Sequence, residues 1–241
     1  MASKTDEDTG QVIFPVGNKK FHTVFWSFGD LKSRRPLICV HGGPGIPSPY
    51  MMPFKMLSQK YGIPVVLYDQ IGCGKSAISC GDQEQQDLER KASFWTVELY
   101  MDELANLIDC LGISDFDLLG HSWGGMLCAE FASKRKPQGL KSLIIANSPA
   151  WMGGWCNANM EHLKRGRISR VAVKIIRNAE QHPGYQETPD RISLNSEGYQ
   201  MALREFQHTF ICQMNPWPGE FIASVEQAKE HTASHLAMYA L

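Results

Sequence analysis

The stretch Phe116-Asp117-Leu118-Leu119-Gly120-His121-Ser122-Trp123-Gly124-Gly125-Met126 carries most of the fold information in this chain of 241 residues. Its first four residues form a short apolar run of strand length, and Met126 to Lys136 has helical character. Between them lies the pattern G-x-S-x-G, Gly120 to Gly124. A serine hydroxyl is a weak nucleophile and has to be held open to a general base, away from competing hydrogen bonds. A sharp turn from strand to helix does this. Flanking glycines permit a strained backbone and close packing, and a helix N-terminus directs N–H donors toward developing negative charge. The bland alternative is that Ser122 only caps a helix after a glycine turn. The strand–turn–helix context favours Ser122 as a catalytic nucleophile.

Outward from that turn, short apolar runs recur. Leu37 to Val40, Pro64 to Tyr68 and Leu143 to Ala146 read as buried strands, like Phe116 to Leu119. Helical stretches separate them: Met51 to Lys60, and residues 93–111, where Val97, Tyr100, Met101, Leu104, Leu107, Ile108 and Leu111 recur at helical spacing. Val12 to Val16 and Phe21 to Phe28 flank Gly17-Asn18 and predict an N-terminal hairpin. Alternating buried strands and amphipathic helices indicate an α/β protein, a mostly parallel sheet with helices on both faces. After Pro149 comparable β-branched runs stop, and prolines punctuate Arg-, Lys-, Gln- and Met-rich helical sequence. The expected organisation is therefore a core over residues 1–149 and a helical cap or lid over 150–241, following the sixth strand.

Composition narrows the function classes. Hydrophobic residues make up 43% and charged residues 20%, with a net charge of -1. Nothing in that balance predicts nucleic acid or an anionic membrane as partner. No apolar run approaches the roughly 20 residues that span a bilayer. The polar, acidic start Met1-Ala2-Ser3-Lys4-Thr5-Asp6-Glu7-Asp8 does not resemble a signal or transit peptide. The seven scattered cysteines contain no C-x-x-C pair and suggest reduced thiols, so the expected location is cytoplasmic.

A second motif, His41-Gly42-Gly43-Pro44-Gly45, follows the strand 37–40. Acyl transfer generates an oxyanion, and backbone N–H groups in a glycine-rich loop can approach it unobstructed. One donor is expected from this loop and the other from the residue after the serine, Trp123. A plain structural turn is the alternative. Gly72-Cys73-Gly74-Lys75-Ser76 has the look of a P-loop end, but the glycine that motif needs five positions before Gly74 is Asp69. His231 and His235 are four residues apart without an accompanying metalloprotease glutamate, so two helix-surface histidines are expected rather than a metal site. Trp151, Trp155 and Trp217 suit either an apolar pocket or packing within the cap.

Taken together, His41-Gly-Gly-Pro-Gly45, Asp69-Gln-Ile-Gly-Cys-Gly-Lys-Ser76 and Gly120-His-Ser-Trp-Gly-Gly125 resemble the proline iminopeptidase family of serine hydrolases, notably its fungal L-amino-acid amidase-like branch. The likeness covers about residues 12 to 150 and, less specifically, Gly198 to Pro218. It implies an α/β-hydrolase fold and release of an N-terminal, proline-like residue from a small peptide or amino-acid amide, without a cofactor. It also implies that Gly43 and Trp123 supply the oxyanion-hole N–H groups, that Gly42 and Gly43 line the substrate site, and that cap carboxylates hold the substrate amine. No oligomeric state follows from it.

The triad order in this fold is Ser, then Asp or Glu, then His. No further strand carrying an acid, and no glycine-containing loop carrying a histidine, is recognisable after the cap sequence. His208, His231 and His235 lie in helical sequence, and His121 should point away from the serine. The basic run around Lys164, Arg165, Arg167 and Arg170 also departs from the family pattern. The chain is therefore expected to be cut off near the end of its cap, with the C-terminal strands missing, an open sheet edge at 143–146, low stability and little or no turnover. A non-catalytic binding protein built on the same frame is the alternative function.

Overall fold

The structure, a computed structural model, describes residues 7–77, 91–181 and 196–230. The described residues of Met1–Pro149 and Gly219–Leu241 form one compact unit, and Ala150–Pro218 form a second.

The first unit is built on a six-stranded sheet of order β1-β2-β4-β3-β5-β6. β1 (Glu7–Val16) and β2 (Lys19–Phe28) pair antiparallel along their full length, closed by Gly17-Asn18 with Gly17 at φ 59°. β2 then pairs antiparallel with β4 (Val65–Tyr68). β4, β3 (Leu37–Val40), β5 (Phe116–His121) and β6 (Leu140–Ala146) run parallel.

Alternate residues of the central strands enter two separate cores, as the twofold side-chain period of a strand requires. Ile38, Val40, Val66, Tyr68 and Leu118 pack with Leu99, Tyr100, Leu104, Leu107 and Leu127. Leu37, Cys39, Val65, Leu67 and Leu119 pack on the other face with Met51, Tyr50 and Leu57. Both faces are covered, which explains why these strands read as continuous apolar runs.

The helices start and stop for local reasons. The predicted helix 51–60 is a 3-10 segment over Ser48–Phe54 followed by α1 (Lys55–Tyr61), which ends at Gly62 in left-handed geometry. α2 (Val97–Cys110) begins where the Thr96 hydroxyl accepts the Leu99 N–H at 3.1 Å, and Gly112 at φ 63° lies just beyond its end. α3 (Trp123–Glu130) starts directly at the serine turn, three residues earlier than predicted, and continues as a π-helical turn over Phe131–Arg135.

The second unit contains α4 (Met152–Lys164), α5 (Arg170–Gln181) and α6 (Glu197–Phe206), the last extended by a π-helical turn over Gln207–Ile211. Leu163, Ile168, Ala172, Ile176 and Ala202 form its own small core. α7 (Gly219–Glu230), within the stretch expected as cap, groups with the first unit. It packs on the 3-10 segment of the first unit, where the buried Ser224 hydroxyl accepts the Tyr50 N–H at 2.9 Å. No helix among the described residues is long and apolar enough to cross a membrane.

Among the described residues β6 pairs with β5 alone, and Ile144 and Ile145 are 45% and 53% exposed on its two faces. An exposed apolar edge of this kind recruits other chains. Ile145→Lys is expected to reduce concentration-dependent association while moving stability by no more than about 0.5 kcal/mol. Light scattering across a dilution series checks this, and unchanged association would refute the edge as its cause.

Candidate active site

Ser122 sits in the turn between β5 and α3 at φ 54°, ψ -123°, a backbone region that side chains other than glycine rarely occupy. Such strain costs on the order of 1–3 kcal/mol and persists only where surrounding structure imposes it. Here the Ser122 N–H donates to the Ala146 carbonyl at 3.0 Å, and the Ser122 carbonyl accepts the Gly125 N–H at 2.9 Å. The glycines allow the close approach. A Cβ on Gly124 would overlap the Val40 carbonyl oxygen and lie 2.6 Å from that of His41. The Ser122 side chain does not cap the helix, and no imidazole or carboxylate among the described residues hydrogen-bonds its hydroxyl.

Strand register brings the second motif alongside. Val40 pairs with Gly120 in the parallel β3–β5 ladder, so the chain leaves both strands at the same edge. A Cβ on Gly42 would stand 3.1 Å from the Ser122 Cβ. Gly43 has φ 115°, a conformation open to glycine, and is followed by a cis peptide to Pro44. The Gly42 N–H is occupied, donating to Tyr50 Oη at 2.8 Å. The Gly43 N–H has no partner among the described residues, and the Trp123 N–H lies in the first turn of α3, where the helix offers none.

Both nearby histidines are held by other groups. His41 is buried; its Nε2 accepts the Gln70 N–H at 2.9 Å, which leaves Nδ1–H to donate to the Gly42 carbonyl at 2.8 Å. Tyr50 Oη, already accepting from Gly42, donates to His121 Nδ1 at 2.9 Å, a partner the sequence did not indicate. Burial pushes both imidazoles below their usual range, His41 despite the opposing pull of Asp69. Each is therefore neutral at pH 7.

The segment after β4 is tied to Asp69. Its Oδ1 accepts the Ser48 N–H at 2.8 Å and the Ser48 hydroxyl at 2.7 Å, and its Oδ2 accepts the Lys75 N–H at 2.8 Å. Gly74, at φ 51°, lies where a Cβ would overlap that carboxylate. The backbone of this loop thus wraps a protein carboxylate and not a phosphate, and the P-loop likeness is structural coincidence.

Three polar residues, Gln70 and Glu103 buried and Tyr50 half-buried, were given no role by the sequence reading. Tyr50 lies in the 3-10 segment Ser48–Phe54 and Gln70 in the loop after β4, neither with a periodicity to mark its role. Glu103 left a signal: three residues after Tyr100 and four before Leu107, it falls on the apolar stripe of α2. Its carboxylate accepts the Thr23 hydroxyl at 2.6 Å and the Ile71 N–H at 2.9 Å, and burial pushes its pKa up to about 8.

In the second unit, Trp217 donates its indole N–H to the Cys212 carbonyl at 2.9 Å and stacks on His208 at 4.3 Å. Trp151 is exposed and lies over Gly153 and Gly154. Among the carboxylates expected to hold a substrate amine, Glu205 accepts from the Ser169 N–H and hydroxyl at the start of α5, and Glu161 pairs with Lys164 at 2.6 Å. Arg167 of the basic run lies over the Phe210 ring at 5.5 Å. Among the described residues no three His, Cys, Asp or Glu side chains cluster to hold a metal ion. His231 and His235 lie outside the described residues.

A family model described as the alpha/beta hydrolase fold matches residues 35–165, more than half of the chain, and the chain belongs to this family. Within the family it is similar to proline iminopeptidases. That of Lactiplantibacillus plantarum is 35% identical over 161 residues, covering 66% of this chain and 52% of that protein. The chain spans about half the length of the curated relatives it matches. Among solved structures, VinJ is 32% identical with a TM-score of 0.78, and the proline iminopeptidase of Mycobacterium smegmatis is 30% identical with a TM-score of 0.71. Each comparison covers 94% of this chain and 69% of the other.

Proposed function

We propose that this chain carries the nucleophile and oxyanion hole of a serine aminopeptidase or amidase. The Ser122 hydroxyl adds to the carbonyl of an N-terminal, proline-like residue in a small peptide or amino-acid amide. The C–N bond breaks, the amine leaves carrying the serine's proton, and water hydrolyses the acyl-enzyme to the free amino acid and Ser122. The Gly43 and Trp123 N–H groups hold the oxyanion, and Gly42 and Gly43 line the substrate side. The observation that carries this reading is the strained Ser122 backbone with the glycine loop against its Cβ. Likeness to proline iminopeptidases supports the substrate class. The chemistry uses no cofactor, nucleic acid or membrane. A cytoplasmic location fits the six described cysteines, all unpaired.

A fluorophosphonate is expected to form one adduct, on the peptide containing Ser122, that disappears in Ser122→Ala and is slowed by prolinamide. No adduct, or one elsewhere, would sink the nucleophile reading. A second reading, a binding protein, is favoured by the lack of a described imidazole at Ser122. It requires prolinamide to raise the thermal midpoint while prolyl-naphthylamide is not consumed. A site with an oxyanion hole but no base retains on the order of 10³ over water; turnover far above that means an imidazole and an acid complete the triad.

A further inference from the structure

The two walls of the proposed oxyanion hole come from separate parts of the chain, the loop after β3 and the first turn of α3. One side chain touches both. Gln70 is fully buried directly after β4, and its carboxamide Nε2 donates to the His41 carbonyl at 2.9 Å. Its Oε1 accepts the Trp123 indole N–H at 3.1 Å. The orientation of this amide is forced by its partners, because a carbonyl can only accept and an indole N–H can only donate. The Gln70 backbone N–H adds a third tie, to His41 Nε2 at 2.9 Å. Through it the His41 imidazole is oriented onto the Gly42 carbonyl. His41 directly precedes Gly42 and Gly43, while Trp123 carries the second hole N–H on its own backbone. The Trp123 ring is itself buried, edge-on to Tyr100 at 5.9 Å.

We infer that Gln70 is a positioning residue that sets the separation of the Gly43 and Trp123 N–H groups by bridging the His41 carbonyl and the Trp123 indole. This rests on the reading of Ser122 as nucleophile and of those two N–H groups as its oxyanion hole. Hole donors act only when aimed at the developing charge, so a displacement well short of unfolding is enough to lose most of their effect. Gln70 does not touch substrate. Its contribution is spent on the reacting oxyanion and not on ground-state binding.

The test compares the rate at which a fluorophosphonate modifies Ser122 in the unaltered chain, Gln70→Met, Trp123→Phe and the double variant, at a temperature where each is folded. Gln70→Met keeps the side-chain length and removes both carboxamide bonds. Trp123→Phe removes only the indole bond. Slowing of about 10-fold or more is expected in Gln70→Met, and a smaller slowing in Trp123→Phe. The double variant should be no slower than Gln70→Met, because both changes break one bridge. Inhibition by prolinamide, a ground-state ligand, should keep its affinity throughout. Asn106→Ala, which loses only a surface bond to the Ile13 carbonyl, controls for lost stability and should react at the unaltered rate. Equal rates in Gln70→Met and the unaltered chain would overturn the inference and leave the nucleophile reading standing. If Gln70→Met fails to fold, an unchanged rate in Trp123→Phe overturns it instead. Absence of any Ser122 adduct in the unaltered chain overturns both.

Discussion

Gly124→Ala is expected to yield no folded protein at 25 °C. The new Cβ would overlap the Val40 carbonyl and lie 2.6 Å from the His41 carbonyl, both of them backbone. Neither can step aside as the end of a side chain could. Val40 closes the β3–β5 ladder opposite Gly120, and His41 opens the glycine loop beside Ser122. Relief therefore means parting two central strands or unwinding the first turn of α3. Overpacking in a core costs about 1–3 kcal/mol when side chains absorb it, and a clash with fixed backbone belongs above that range. A domain stable by about 5–15 kcal/mol cannot spare much of that sum. Gly219→Ala, at a position with nothing within 4 Å, is the matched control and should melt like the unaltered chain. Circular dichroism and denaturant titration decide the matter. A folded Gly124→Ala within about 1 kcal/mol of the parent would mean the turn is looser than its contacts imply.

Stability is expected to fall as pH rises from 6.5 to about 8, opposite to the trend of a protein held by ionised carboxylates. Burial raises the Glu103 carboxyl from an ordinary value of 4.5 to about 8, so between these values the folded chain holds a proton that the unfolded chain has released. Stability then declines with pH across that window and is flat above it. The neutral histidines His41 and His121 work in the other direction. Their lowered values make the unfolded chain the one that binds protons, which increases stability with pH up to about 6.5. The Glu103 effect is therefore isolated between 6.5 and about 8. At about 1.4 kcal/mol per pH unit this amounts to roughly 2 kcal/mol, or a midpoint lower by about 5 °C. Glu103→Gln keeps an oxygen for the Thr23 hydroxyl and the Ile71 N–H and removes the titration. Its melting profile should be flat where the parent declines. A parent profile equally flat over that interval would show that the carboxyl is not held protonated.

Glu103 and Gln70 both lie beneath the proposed catalytic loops, and this links stability to function. Glu103 holds the Ile71 N–H, the residue next to Gln70, and Gln70 ties His41 to Trp123. The loop after β4 is thus anchored from below by α2 and grips both sides of the proposed oxyanion hole. Ser48 and Lys75, bound to the two oxygens of Asp69, close the same loop from its outer end. Polar groups buried this deeply are costly when unpaired, so a network in which each has a partner favours one arrangement of the loop over its alternatives.

Much of this was legible locally. The runs 37–40, 64–68 and 116–119 announced buried parallel strands because a strand covered on both faces has no polar side to display. The Gly120–Gly124 and His41–Gly45 motifs announced themselves because backbone at φ 54° or 115°, and strand-to-helix contact without Cβ atoms, leave glycine as their sequence mark. Helix ends blurred by a few residues, since a single 3-10 or π-helical turn is too short for its different period to show in the apolar pattern.

What sequence alone determined is therefore the local chemistry: a serine at a strained strand-to-helix turn, a glycine loop four residues after a paired strand begins, and the parallel sheet that holds both. Tertiary structure decided everything that depends on residues distant in the chain. It placed α7 with the first unit, turned His121 toward Tyr50, wrapped the Gly72–Ser76 loop around Asp69, and set Gln70 between His41 and Trp123, 29 and 53 residues away. The reason is physical. Periodicity and turn chemistry record what each residue does with its near neighbours, whereas the partner in a long-range hydrogen bond cannot be read from spacing, even where a polar residue on an apolar stripe, as at Glu103, marks one end of it.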